Sequence, residues 1–177
     1  MEISFKVNHP ITTDQFIGLL DSSTLGERRP IHDRDCMEGM VSNSNLIVSA
    51  WDDSLLVGIA RSVTDFHYAC YLSDLAVHRN YQRSGIGKRL QSLTQEHLGP
   101  LCKLILIAAP AANSYYGQIG YTHNERCWVL DPGVTPSGGF TPIVQGCGTD
   151  AFLAGQLGNS QTVRWGHLLE NGFFTFR

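Results

Sequence analysis

The chain has 177 residues, of which 42% are hydrophobic and 16% charged, a globular profile with enough length for one domain and a buried core. Its net charge of −3 argues against general nucleic-acid binding. The opening MEISFKVNHP has neither a basic start nor an apolar run, and no stretch reaches the ~18 apolar residues of a membrane span. A cytoplasmic protein with no membrane partner is therefore expected. Five cysteines (Cys36, Cys70, Cys102, Cys127, Cys147) stand singly, with no C-x-x-C pair and an odd total. That usage fits reduced thiols, and neither a disulfide framework nor a metal site is expected.

In chain order, Ile3–Val7 alternates apolar and polar residues as a half-buried strand does. Thr12 or Thr13 can cap a helix with Phe16, Ile17, Leu19 and Leu20 on its apolar side. A charged link, Gly26–Pro30, leads to a second helix near Asp33–Val41, with Cys36, Met37 and Met40 inward. Leu46–Trp51 and Leu55–Thr64 read as strands joined by the polar turn Asp52-Asp53-Ser54, and Ala69–Val77 extends them into an antiparallel meander. A polar turn and the loop Gln82-Arg83-Ser84-Gly85-Ile86-Gly87 then open a helix. Ile86, Leu90, Leu93 and His97 share one face of it, and Gly99-Pro100 stops it, with Gly99 in the left-handed cap position.

Lys103–Ala108 is apolar on both faces and suits an inner strand covered by helices, parallel to Tyr71–Val77 through a right-handed crossover. Asn113–Ile119 reads as a short helix capped by Gly120, with further strands at 121–123 and Cys127–Leu130. The expected class is a mixed α/β (α+β) fold, a mainly antiparallel sheet flanked by helices with one parallel pair. Composition shifts near residue 132, because residues 133–177 hold nine of the 18 glycines and no lysine. The domain is therefore bounded as 1–132, followed by a glycine-rich C-terminal extension, 133–177.

A loop rich in backbone N–H groups at a helix N-terminus is an anion site. The P-loop pattern fails at Gln82 and Arg89, where it needs Gly and Ser/Thr, and the dinucleotide pattern fails at Leu90, where it needs Gly. The pattern Q/R-x-x-G-x-G/A is met in full by Gln82, Gly85 and Gly87. Together with LAVHRNYQRSGIG upstream and Asn113-Ser114-Tyr115-Tyr116-Gly117-Gln118-Ile119-Gly120-Tyr121 downstream, it resembles the GNAT superfamily of acetyl-CoA-dependent N-acetyltransferases. Tyr115 and Tyr121 replace commoner phenylalanines, and the resemblance covers roughly residues 3–130.

The resemblance implies a β-bulge near Leu75–Val77 that splays the parallel pair. Leu75, Ala76 and Val77 would then hold the pantetheine arm, and N–H groups such as those of Ala76 or Val77 would polarise the acetyl carbonyl. Gln82, Arg83, Ser84, Gly85, Ile86, Gly87 and Lys88 would receive the pyrophosphate, and Asn113 the pantetheine amide. Tyr116 is the candidate proton donor to the departing thiolate, or else packs against pantetheine. Asp74, a carboxylate in an apolar strand, is the candidate base, or else a buried partner of an arginine such as Arg61. His67, Tyr71 and Ser73 lie on the same strand or its approach, and His78 at its solvent end. Arg28, Arg29 and Arg34 fall where the acceptor site would be, as substrate attractors or as plain charged surface.

The implied activity is acetyl transfer from acetyl-CoA to a primary amine by direct attack in a ternary complex. An acyl-CoA-binding sensor or interaction module without efficient turnover is the alternative. A homodimer is an expectation of the resemblance alone.

Overall fold

A computed structural model describes residues 2–130 and 132. At its centre lie five strands, β1 (Ile3–Val7), β2 (Leu46–Asp52), β3 (Leu55–Thr64), β4 (Ala69–Val77) and β5 (Lys103–Ile105), in that spatial order. The first four run antiparallel and β5 is parallel to β4. The β2–β3 hairpin pairs Asp52 with Leu55 and leaves Asp53-Ser54 as its loop, Asp53 taking the left-handed φ of 51° that aspartate tolerates. At the β3–β4 turn one Asp65 oxygen accepts the N–H groups of Tyr68 (2.8 Å), Ala69 (3.0 Å) and His67 (2.9 Å). Those donors, Tyr68 first, hold its carboxyl down at about 2.

Helix α1 (Thr13–Asp21) starts at a reciprocal cap: the Thr12 hydroxyl accepts from the Gln15 N–H, and the Gln15 side chain accepts from the Thr12 N–H. Helix α2 (Arg34–Ser42) starts where Asp33 accepts from the Cys36 N–H at 3.0 Å. Both lie on one face of the sheet, where Phe16, Leu19, Leu20 and Met37 pack with Ile47, Trp51, Leu56, Ile59 and Ala76. Helix α3 (Ile86–Glu96) covers the other face, burying Ile86 and Leu90 against Val48, Ala50, Val57, Ala60 and Leu72. A six-residue helix α4 (Asn113–Gln118) follows β5, and Gly120 turns the chain after it with φ +97°.

The bulge lies in β4, two residues ahead of its expected place. Arg61 pairs with Asp74 and Ser62 with Leu72, so Ser73 is the unpaired extra residue. One added residue reverses the side-chain parity of all that follows. Leu72 and then Leu75 and Val77 face α3, while Ala76 faces α1 and α2.

Several sequence expectations are corrected. Cys36 is exposed, since it falls one residue off the face that buries Met37. His97 is the exposed end of α3, and the buried face of that helix runs instead through Gln91 and Thr94. Gly99 is not left-handed; its N–H donates to Phe66 O at 2.8 Å, and a Cβ there would stand 2.9 Å from that same oxygen. β5 stops at Ile105 rather than Ala108, because β4 and β5 diverge after the Tyr71–Ile105 pair, and Ile105 is 47% exposed. Residues 121–123 and 127–130 form no strand, and Trp128 is 92% exposed.

The chain divides into Met1–Glu125 and Arg126–Arg177; the described residues of the second unit carry no helix or strand. The glycine-rich extension 133–177 lies outside the described residues. Among the described residues, no helix is long and apolar enough to cross a membrane.

Candidate functional site

Past Tyr71, β4 has no described partner on its β5 side. The His78 N–H donates to Val57 O at 2.9 Å, so by antiparallel alternation Ala76 turns its N–H toward β3 as well. Leu75 and Val77 therefore present their N–H and C=O groups to the opened edge, where the Gln82 side-chain amide donates to Val77 O at 3.1 Å. Of the two N–H groups expected to face a bound carbonyl, the register supplies that of Val77 and turns that of Ala76 away.

A cavity of about 420 Å³ lies along this edge. Leu75, Ala76 and Val77 form one wall, and Tyr81, Gln82, Arg83, Gly85, Ile86, Gly87 and Lys88 a second. Ala112, Tyr115 and Tyr116 stand at the α4 side, and Ser23, Thr24 and Leu25 come from the link after α1. Ten of the expected binding residues thus share one space. Ser84 and Asn113 do not line it: the Ser84 hydroxyl donates to Tyr81 O, and Asn113 opens α4 beside Ala112 with its side chain exposed.

The Ser23–Leu25 wall escaped the sequence reading, since a short polar link carries no motif. Arg79 brings it into place by donating from its N–H and its Nε to Ser22 O, both at 3.1 Å.

The loop puts Arg83 at φ 62° and Gly85 at φ 85°. Among the described residues no side chain caps α3, and the Arg89 N–H is the first to return to the helix, at 3.0 Å from Gly85 O. The N–H groups of Ile86, Gly87 and Lys88 are left outside the helical ladder, beside the cationic Lys88 and Arg83. Donors and charge of this kind fit a phosphate or diphosphate.

The height of α3 over the sheet is set by Gly58, where an added Cβ would meet Ile86 Cγ2 at 3.0 Å, Leu90 Cδ1 at 3.1 Å and Ala50 Cβ at 3.3 Å. Gly58→Ala is expected to cost about 1–3 kcal/mol and to displace the first turn of α3. Chemical denaturation will read the first effect. Weakened anion binding, measured by calorimetry with coenzyme A, will read the second.

Tyr116 is half-buried, and burial, with Tyr115 beside it, pushes its phenol up from the ordinary value. Its ring meets those of Tyr115 at 5.5 Å and Tyr121 at 5.4 Å, both edge-on. Burial, then Tyr116, pushes the Tyr121 phenol up to about 12.

Asp74 is fully buried with each oxygen committed, Oδ1 to Arg29 Nε at 2.6 Å and Oδ2 to Arg61 Nε at 2.5 Å. Arg29 donates also to Ser73 O (2.8 Å), and Arg61 to Ser73 Oγ (2.8 Å), Ser44 Oγ (2.8 Å) and Met40 O (3.1 Å). This network clasps the bulge to α2 and to the link before it. Asp74 does not line the cavity. Arg34 is paired with Asp14 at 2.6 Å, so two of the three arginines considered for the acceptor already hold carboxylates.

Comparison with known proteins agrees with this geometry. The chain is 32% identical over 109 residues to an uncharacterized N-acetyltransferase ycf52-like protein of Prochlorococcus marinus, a match covering 56% of this chain and 59% of that relative's length. The GNAT-family acetyltransferase SP0256 of Streptococcus pneumoniae superposes with a TM-score of 0.57 at 21% identity, covering 73% of this chain and 98% of that one. The aminoglycoside N-acetyltransferase AAC(6')-Iy, solved in complex with CoA, superposes with a TM-score of 0.58 at 14% identity over 75% of this chain and 96% of that one. At such identities these two likenesses establish the fold. The family model of the acetyltransferase (GNAT) domain matches residues 21–128, more than half of the sequence, and the chain belongs to the GNAT acetyltransferase family.

Proposed function

We propose that the protein transfers an acetyl group from acetyl-CoA to a primary amine by direct attack within a ternary complex. The observation that carries this reading is the single cavity joining the opened edge of β4, the uncapped start of α3 and the Tyr116 phenol. In it the N–H groups of Ile86, Gly87 and Lys88 bind the diphosphate, with Arg83 and Lys88 adding charge. The exposed edge at Leu75 and Val77 receives the pantetheine arm as an added strand. The Val77 N–H faces the carbonyl oxygen, where it stabilises developing negative charge.

The amine nitrogen, neutral on arrival, forms a bond to the carbonyl carbon while the carbon–sulfur bond breaks. Tyr116 gives its proton to the leaving sulfur and regains one from solvent. A phenol whose ionisation is disfavoured by burial keeps that proton at neutral pH. The nitrogen's surplus proton leaves to water, and we assign Asp74 to holding Arg29, Arg61 and the bulge instead of to base catalysis. The aminoglycoside N-acetyltransferase of like fold is named for one class of amine, and none of the described residues selects among amines.

The test is to incubate the protein with acetyl-CoA and a panel of amines and to follow free thiol. Amine-dependent thiol release supports the transferase. CoA binding with no release from any amine would favour the sensor, and failure to bind CoA would remove both.

A further inference from the structure

We propose that Gln91 and Tyr121 are positioning residues that fix the Tyr116 phenol relative to the first turn of α3. The inference rests on the acetyl-transfer reading for its consequence, and on geometry for its origin. Helix α4 has six residues, none of them buried, and a helix that short does not hold itself in water. The placement of Tyr116 must therefore come from outside α4.

Two ties supply it. Gly120 reverses the chain so that the Tyr121 N–H donates to Tyr116 O at 3.1 Å and the two rings meet edge-on. The Tyr121 hydroxyl then donates to Gln91 Oε1 at 3.0 Å, and Gln91 Nε2 donates to Gly87 O at 3.1 Å. Gln91 is 4% exposed, and neither it nor Tyr121 lines the cavity. A buried amide in the second turn of a helix is costly unless both its ends are paired, and here one end grips the phosphate-facing turn and the other grips the segment carrying the phenol. The two ends of the cofactor site are thereby held to one spacing by a chain of four residues, Gly87, Gln91, Tyr121 and Tyr116.

Gln91→Leu and Tyr121→Phe each cut that chain while preserving bulk and ring. Either is expected to lower kcat for thiol release by about 10–100-fold, the scale of a small misplacement of a catalytic group, with the Kd for CoA little changed. Because both changes break one connection, the double variant is expected to be no slower than the slower single.

A second readout needs no turnover. Ultraviolet titration of each protein against its Tyr116→Phe derivative isolates the Tyr116 phenol. Loosening α4 exposes that phenol, so in Gln91→Leu it titrates at lower pH than in the parent. Additive losses in the double variant, or an unmoved Tyr116 titration, overturn the proposal. A parent that releases no thiol with any amine overturns the acetyl-transfer reading, and the titration still decides the positioning role.

Discussion

Asp74→Ala is expected to be among the most damaging substitutions in the described chain, lowering stability by about 3–5 kcal/mol, because it leaves Arg61 charged, buried and unpaired. For a chain of this size that corresponds to a fall in Tm of roughly 10 °C or more. The Arg29 side chain is 23% exposed against 6% for Arg61, so Arg29 can recover hydration and Arg61 cannot. Asp74→Asn keeps an oxygen to accept from one guanidinium and should lose less. Thermal melts will rank the three proteins. The pH profile of thiol release separates structure from chemistry: a positioning role leaves the acid limb of the folded Asp74→Asn variant unchanged, whereas loss of that limb would restore Asp74 as the base.

The second large effect belongs to Tyr116. Tyr116→Phe is expected to reduce kcat by about 10²–10⁴-fold at neutral pH, the usual worth of a positioned acid, with little change in CoA affinity. The size of the loss should itself depend on pH. A thiol ionises near ~8.5, so above that pH the sulfur can depart without a proton and the penalty should shrink. In the parent, a phenol held above its ordinary value by burial remains protonated throughout that range, so the shrinking penalty reports the sulfur and not a loss of the phenol's proton. Rates at several pH values with one amine will show this convergence. A penalty constant with pH would mean that the ring, not the proton, matters.

Much of this was legible in the sequence where one local rule dominates. The bounds of β1, β3 and β4 follow from apolar runs bracketed by turn residues, and α1 announces itself through a threonine cap at 12 or 13, which the structure places at Thr12. The anion loop was readable because backbone donors at a helix start depend on glycine spacing more than on distant packing. What escaped was set by tertiary partners. Ser23–Leu25 joins the cavity only because Arg79 pulls the end of α1 toward it. Gly99 is required by the nearness of Phe66 O, a neighbour 33 positions away by residue number and invisible to helix-cap rules. β5 looked like an inner strand by composition, yet its pairing ends where the bulge opens the sheet. Asp74 stood out as a lone carboxylate among apolar residues, and its chemistry changed once two guanidiniums met it.

The unpaired Ser73 has one more consequence. A strand with a single alternation can be shifted by two positions and still present the same layers. β4 cannot, because its first half addresses α3 through Cys70 and Leu72 and its second through Leu75 and Val77, with an odd step between. Removing Ser73 would set Asp74 directly after Leu72, keep the layer of every later residue and make the ladder with β3 regular, while taking away the Ser73 carbonyl that accepts from Arg29 and the hydroxyl that accepts from Arg61. Exchange of the Ser73 side chain would remove only the contact to Arg61, whereas losing the residue would also remove the main-chain anchor of Arg29 and the bulge itself.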